Sequence, residues 1–130
     1  MNRNELIELA ASLARPFSPS EDCTAASVAA ALVTASGNVY TGVCVDAECG
    51  IGFCAEHAAV AEMLKAHEST VRMIVAVNED GAVLAPCGRC RELLWQIDGR
   101  NEGTWVVLGV DEEARLRELL PHRWKPSLGG

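Results

Sequence analysis

The chain has 130 residues, 49% hydrophobic and 22% charged, with 11 Lys and Arg against 18 Asp and Glu and a formal net charge of −7. This is ordinary globular material rather than a disordered chain, and its length predicts one domain over residues 1–130 with a polar tail at 121–130. The acidic balance argues against a nucleic-acid partner, which needs clustered Lys and Arg, and no apolar run is long enough to cross a bilayer.

Leu6, Ile7, Leu9, Ala10 and Leu13 recur at helical spacing, which predicts a helix over 4–14 ended by Pro16 and Pro19. Charges at Arg3, Glu5 and Glu8 make it an amphipathic helix and not a signal peptide, so a cytoplasmic location is expected. Residues 28–34 and 39–45 read as strands of a hairpin turned at Ser36-Gly37-Asn38. A loop with two glycines over 48–53 leads into an Ala-rich helix over 55–66. Residues 71–77 carry little polar content and read as a strand buried on both faces, followed by the turn Asn78-Glu79-Asp80-Gly81. A helix is expected over 88–97 and a strand over 105–110. Asp111 is placed to cap a last helix carrying Ala114, Leu116, Leu119 and Leu120, with Glu112 and Glu113 in its solvated first turn and Pro121 as its stop. The order α-β-β-α-β-α-β-α predicts an α/β sandwich, partly parallel and opened by an antiparallel hairpin.

Six cysteines stand at 23, 44, 49, 54, 87 and 90. In a reducing compartment they read better as a metal site or a redox pair than as disulfides. Two segments carry the chemistry: Cys54-Ala55-Glu56 and Pro86-Cys87-Gly88-Arg89-Cys90. Both fall where a loop enters a helix, and a helix N-terminus favours the thiolate form. Cys87 and Cys90 are three apart and share a helix face. A catalytic zinc takes three protein ligands and leaves a fourth position for water. Cys54, Cys87 and Cys90 fit that count, with one Zn²⁺ per chain expected.

Glu56, two residues after a ligand, is close to the metal without binding it. Three thiolates plus a carboxylate that is not a ligand form the arrangement of zinc-dependent nucleobase deaminases. In that reading Glu56 carries protons from water to the ring and on to the leaving amine. Three thiolates outweigh the charge of Zn²⁺, and His57 and Arg89 are candidate donors to the sulfurs. Two other readings stay open. One is a structural zinc completed by Cys49, His57 or a distant group; the other is a redox dithiol. His67 and His122 have no partner in the sequence and read as surface residues. The remaining cysteines read as small apolar residues.

These residues resemble the cytidine deaminase family, in its short branch with three cysteine ligands. The resemblance covers nearly the whole chain and includes Tyr40-Thr41-Gly42-Val43 and Glu118-Leu119-Leu120-Pro121 besides the two zinc segments. It implies a three-layer α/β/α fold with a mixed five-stranded sheet. It also implies a homotetramer with sites at subunit junctions, and hydrolytic deamination of a cytosine-type nucleoside. The Ala55 amide would meet the pyrimidine carbonyl, and Trp124 would reach a neighbouring site.

Departures from the family pattern are informative. Where the family has Asn and Glu to hold the ribose, this chain has Cys44 and Asp46; Ala26 stands for a Phe, and His57 for an Arg. Several of these lean towards the sister group of blasticidin S deaminases, whose pattern resembles Ser20-Glu21-Asp22 followed by Ala26-Ser27. That group has Tyr and Asn where Cys23 and Cys44 stand here. Ser27, Cys44, Asp46, Ala55 and Trp124 are the substrate-binding candidates. A deaminase of free bases or other aminated heterocycles, and a non-catalytic zinc-stabilised module, are the alternatives.

Overall fold

The computed structural model describes residues 1–125. Helix α1, Arg3–Leu13, starts at a reciprocal cap: the Asn2 side chain accepts from the Glu5 N–H at 2.9 Å, and the Glu5 carboxylate accepts from the Asn2 N–H at 3.0 Å. Strands β1 (Phe17–Ser20), β2 (Cys23–Thr34) and β3 (Val39–Ala47) follow, then a 3-10 turn at Glu48–Gly50 and helix α2 (Ala55–Lys65). Strand β4 is Val71–Asn78, β5 is Val83–Leu84, and helix α3 is Gly88–Ile97. A 3-10 turn at Gly99–Gly103 leads to β6 (Trp105–Gly109), β7 (Glu112–Arg115) and the short helix α4 (Leu116–Leu119).

β2 pairs antiparallel with β3 on one side and with β4 on the other; β4 runs parallel to β6, and β6 antiparallel to β7. The result is a mixed five-stranded core sheet, β3-β2-β4-β6-β7, with β1 and β5 as short additions on β2 and β4. Alternation along the strands separates two apolar layers. Leu32, Ile74, Ala76 and Val106 meet Ala59, Val60, Met63 and Leu94 from α2 and α3. On the opposite face Val33, Val75, Val77 and Val107 meet Leu6 and Ala10 of α1. The architecture is α/β/α, as the resemblance implied.

Three local expectations are corrected. Asp111 does not cap a helix: Val110 and Asp111 form a turn, and 112–115 is a strand. Pairing with β6 outweighs helical spacing there, because Arg115 lies opposite Trp105 and stacks its guanidinium 3.7 Å from the ring centroid. Glu113 is therefore a strand residue, 3.5 Å from Arg3, and not part of a helical first turn. After Pro16 the chain makes strand β1, which runs through Pro19, instead of a plain stop. Finally, β2 starts at Cys23 rather than at 28. It contains a bulge: Ala25 is opposite Val45 and Ala29 opposite Val43, so residues 26–28 face one partner residue. Ala26, with φ +66, makes the kink.

The start of β4 is tied to the end of α3 by polar groups. Asn101, fully buried, accepts from the Val71 N–H at 2.8 Å and donates to the carbonyls of Ser69 and Leu94, both at 2.9 Å. Asp98 accepts from the hydroxyls of Ser69 and Thr70 at 2.9 Å and from Arg100. The Arg100 guanidinium, followed by these other donors, holds the Asp98 carboxyl well below the usual carboxylate range. The Arg100 side chain is 75% exposed, so the ion pair itself adds little to stability; the bonds from the Ser69 and Thr70 hydroxyls and the Arg100 N–H add to it. Replacing Asp98 with Asn is expected to cost about 2 kcal/mol near neutral pH. Because the folded-state pKa is depressed, that contribution is fully present above the unfolded value of about 3.9 and is lost as pH falls towards the folded value. Denaturant melts at pH 7 and pH 3 check this: the gap between the native protein and D98N narrows at the lower pH.

Candidate functional site

Both chemical segments sit at helix starts, for a local reason. Cys54 and Cys87 occupy the cap positions of α2 and α3 in extended conformation, and Glu56 and Cys90 fall in the first turns. Packing of both helices on one face of the sheet brings the two N-termini together. Cys54 Sγ lies 3.7 Å from Cys87 Sγ, which lies 3.5 Å from Cys90 Sγ, and all three sulfurs are within 4.8 Å of one another.

A disulfide needs sulfurs about 2.05 Å apart, so this is not one. Tetrahedral zinc with Zn–S bonds of about 2.3 Å puts its sulfurs about 3.8 Å apart, and the observed spacing fits that geometry. Among the described residues no His, Asp or Glu joins the three thiols as a fourth ligand. Cys49 lines a separate recess together with Cys23, so it does not complete the set. The trio therefore matches a three-ligand zinc site rather than a closed four-ligand one.

Burial grades across the cluster. Cys90 is fully buried, Cys54 half-buried and Cys87 exposed. Burial, then the nearby Glu56, pushes the Cys90 thiol far up, and burial followed by Cys87 raises Cys54. At Cys87 burial also pushes upward, but hydrogen bonding with Cys90 and Cys54 outweighs it and the net shift is downward. Cys54 and Cys90 thus resist ionisation in this setting, and a divalent cation removes that resistance.

Glu56 is a buried carboxyl, 6% exposed, and its burial raises its pKa. It faces an open cavity of about 470 Å³, within the size range of small-molecule sites. Cys54, Ala55, Glu56, Cys87 and Arg89 line one end of it, and Ser27, Cys44 and Asp46 line another part of the wall. Here the bulge in β2 matters. Ser27 Oγ lies 3.2 Å from Cys44 Sγ and donates to Asp46 Oδ2 at 3.4 Å, while the Val28 N–H donates to Cys44 Sγ at 3.3 Å.

Eight candidates thus share one cavity, and Cys90 lies beneath it. Two candidates lie apart. Trp124 is 80% exposed, its backbone N–H bonded to the Glu92 carboxylate, and it does not line this cavity. His57 has a buried Nε2 with no hydrogen-bond partner among the described residues, so no bond to a thiolate is made. Burial, then the Arg89 charge, lowers its pKa. Phe53 and Leu84 were not anticipated: they form apolar wall, 41% and 36% exposed, just ahead of the two chemical segments. The apolar residues immediately before Cys54 and Pro86 were the available signal. No helix among the described residues is long and apolar enough to cross a membrane.

Comparison with known proteins agrees with this geometry. The cytidine and deoxycytidylate deaminase zinc-binding region matches residues 1–105. A cytidine deaminase of Mycobacterium tuberculosis is 33% identical over 93 residues, a stretch covering 71% of this chain and 65% of that protein. The crystal structure of cytidine deaminase from Mycobacterium tuberculosis superposes with a TM-score of 0.80 at 29% identity, covering 97% of this chain and 99% of that one. The one from Burkholderia pseudomallei gives 0.75 at 30% identity, covering 95% and 100%. With a zinc-binding family match over most of its length, a shared fold and three thiols at zinc spacing, the chain belongs to the cytidine and deoxycytidylate deaminase family.

Proposed function

We propose that the chain is a zinc-dependent hydrolase that converts a cytosine-type nucleoside to its uracil form with release of ammonia. The observation that carries the reading is the convergence of three thiols and one buried carboxyl on a single cavity. Cys54, Cys87 and Cys90 would hold one Zn²⁺, which when bound supplies the electrophile that makes water acidic near neutral pH. Glu56 takes one proton from the attacking water and delivers it to the ring nitrogen; it then takes the second proton from the new hydroxyl on the ring carbon and passes it to the amine, which leaves as ammonia. Its raised pKa suits a group that must both accept and donate near neutrality.

The Ala55 N–H, in the first turn of α2, is assigned to the pyrimidine carbonyl. Phe53 supplies an apolar wall for the base. Ser27, Cys44 and Asp46 are assigned to the sugar, with Asp46 as the hydroxyl acceptor. Arg89 offsets the negative charge of three thiolates on one dication. Trp124, exposed on its own chain, is assigned to a neighbouring copy in a homotetramer. The working unit is a single domain over residues 1–130, acting in the cytoplasm.

A second reading, deamination of a free base or another aminated heterocycle, draws on Cys44. Its sulfur is already engaged by Val28 and Ser27, and a thiol is a weak partner for a sugar hydroxyl. Ammonia release by the zinc-loaded protein from cytidine, deoxycytidine, cytosine and blasticidin S separates the possibilities. A preference for cytidine or deoxycytidine is expected, and preferred turnover of blasticidin S would assign the chain to the sister group. Faster turnover of cytosine than of any nucleoside would favour the second reading. No release from any of the four would end both.

A further inference from the structure

Two glycines ahead of the Cys54–Glu56 segment, one in β3 and one in the loop that follows it, sit where no side chain fits. A Cβ built at Gly52 would lie 1.9 Å from the Val45 carbonyl oxygen and 2.9 Å from its carbon. One at Gly42 would lie 2.4 Å from the Ala59 nitrogen, 2.5 Å from Ala58 Cβ and 2.7 Å from the Ala55 oxygen. Neither glycine has positive φ, so the constraint is room and not backbone conformation. Gly50, close by in sequence, is the reverse: φ is +65 and nothing lies within 4 Å.

We propose that Gly42 and Gly52 are positioning residues for the metal ligand Cys54 and for Glu56, acting through the absence of a side chain; the inference rests on the zinc reading above. At Gly52 the loop is pressed onto β3 and fixed there by a reciprocal pair of bonds. The Val45 N–H donates to the Phe53 carbonyl at 3.0 Å, and the Phe53 N–H donates to the Val45 carbonyl at 2.9 Å. Cys54 is the next residue. The depth at which the loop ends helps set the position of the Cys54 Sγ, 3.7 Å from Cys87 Sγ. On the helix side, Gly42 lets the first turns of α2 approach the β3 backbone, and Ala55 and Ala59 are fully buried there.

The atoms that a new Cβ would meet are mainly backbone, which cannot swing aside as the end of a side chain does. An alanine therefore lifts the loop or the helix bodily from the strand. A lift on the order of 1 Å exceeds the roughly 0.2 Å tolerance of metal–ligand distances. The same lift carries Glu56 away from the cavity, and misplacement of that size costs about 10²-fold in rate.

The test uses the full chain loaded with zinc, in the forms G52A, G42A and, as a control, G99A, whose added Cβ meets nothing within 4 Å. Transfer of zinc to a chromogenic chelator is followed alongside far-ultraviolet circular dichroism and the spectrum of the cobalt-substituted protein. G52A and G42A are expected to lose zinc at least tenfold more readily with secondary structure retained and an altered cobalt–thiolate spectrum, while G99A matches the native protein. Folded G52A and G42A that both hold zinc within twofold of the native protein would overturn the proposal.

Should either alanine variant not fold, amide exchange in the native chain decides. Chelation is expected to speed exchange at Val45 and Phe53 at least tenfold while Val33 and Val75 in the sheet centre stay protected; unchanged protection at Val45 and Phe53 overturns it. The zinc and exchange readouts need no turnover. Absence of deaminase activity in the native chain would thus strike the functional reading and leave this one standing.

Discussion

Replacing Glu56 with Gln is expected to lower kcat/KM for cytidine by about 10³- to 10⁴-fold while one zinc per chain is retained. Glutamine keeps the size and hydrogen-bonding reach of the side chain but cannot carry a proton. The proposed cycle asks one carboxyl to move two protons in turn, so the loss falls in the upper part of the range for a single acid–base group. Stability moves the other way or not at all. The carboxyl is 6% exposed and its pKa is raised by burial, so its charged form is held at a cost in the folded protein. A neutral amide removes that cost. The melting temperature of the variant is expected to equal or exceed that of the native protein, which separates a catalytic loss from a folding defect. Ammonia release and zinc content measured on the same preparation check it. A variant that kept activity within tenfold with zinc bound would show that the protons travel by another group.

Much of this site was legible because its signals are local. The three-residue step from Cys87 to Cys90 and the two-residue step from Cys54 to Glu56 are helix-start geometries that a sequence displays directly. The bounds of α3 coincide with the predicted 88–97, and β4 extends the predicted 71–77 by one residue. What the sequence hid is non-local. Leu116, Leu119 and Leu120 behind Asp111 suggest a helix that starts there, but the helix begins only at Leu116, and pairing with β6 makes 112–115 a strand.

The bulge at Ala26 has no marker, since alanine is not a residue that advertises positive φ. Yet that bulge is part of how Ser27 comes beside Cys44 and Asp46 on the cavity wall. Gly42 and Gly52 are indistinguishable in sequence from glycines that merely turn the chain. Their significance depends on backbone from Ala55 to Ala59 and at Val45 pressing on them. Trp124 illustrates the opposite limit: a resemblance assigns it to a site, while within its own chain it stands on the surface.

Stripping the metal is expected to abolish deamination and to lower the melting temperature by about 10–20 °C, without unfolding the domain. The size of the shift follows from linkage. Zinc at a free concentration about a thousand times its dissociation constant contributes about 4 kcal/mol. For a domain of this size each kcal/mol moves the midpoint by roughly 3–5 °C. The fold survives because the two apolar layers close over the sheet through residues such as Leu6, Leu32, Met63, Ile74 and Leu94, and neither layer is built from the three thiols. This distinguishes the chain from small zinc modules whose metal is their core.

Cys90→Ser should reproduce the chelated state, since a buried hydroxyl is a poor substitute for thiolate. Cys49→Ser, outside the trio, should bind one zinc as the native protein does. Restoration has a chemical condition. Sulfurs 3.5–3.7 Å apart need only a small approach to form a disulfide once the cation that separates them is gone. Dissolved oxygen would take the two electrons and two protons of each thiol pair. Zinc is thus expected to restore activity to protein stripped under reductant and to fail with protein stripped in air until a thiol reductant is added. Calorimetric melts and a zinc titration of ammonia release, each with and without reductant, read out both parts. Full activity in metal-free protein would remove the three thiols from the mechanism altogether.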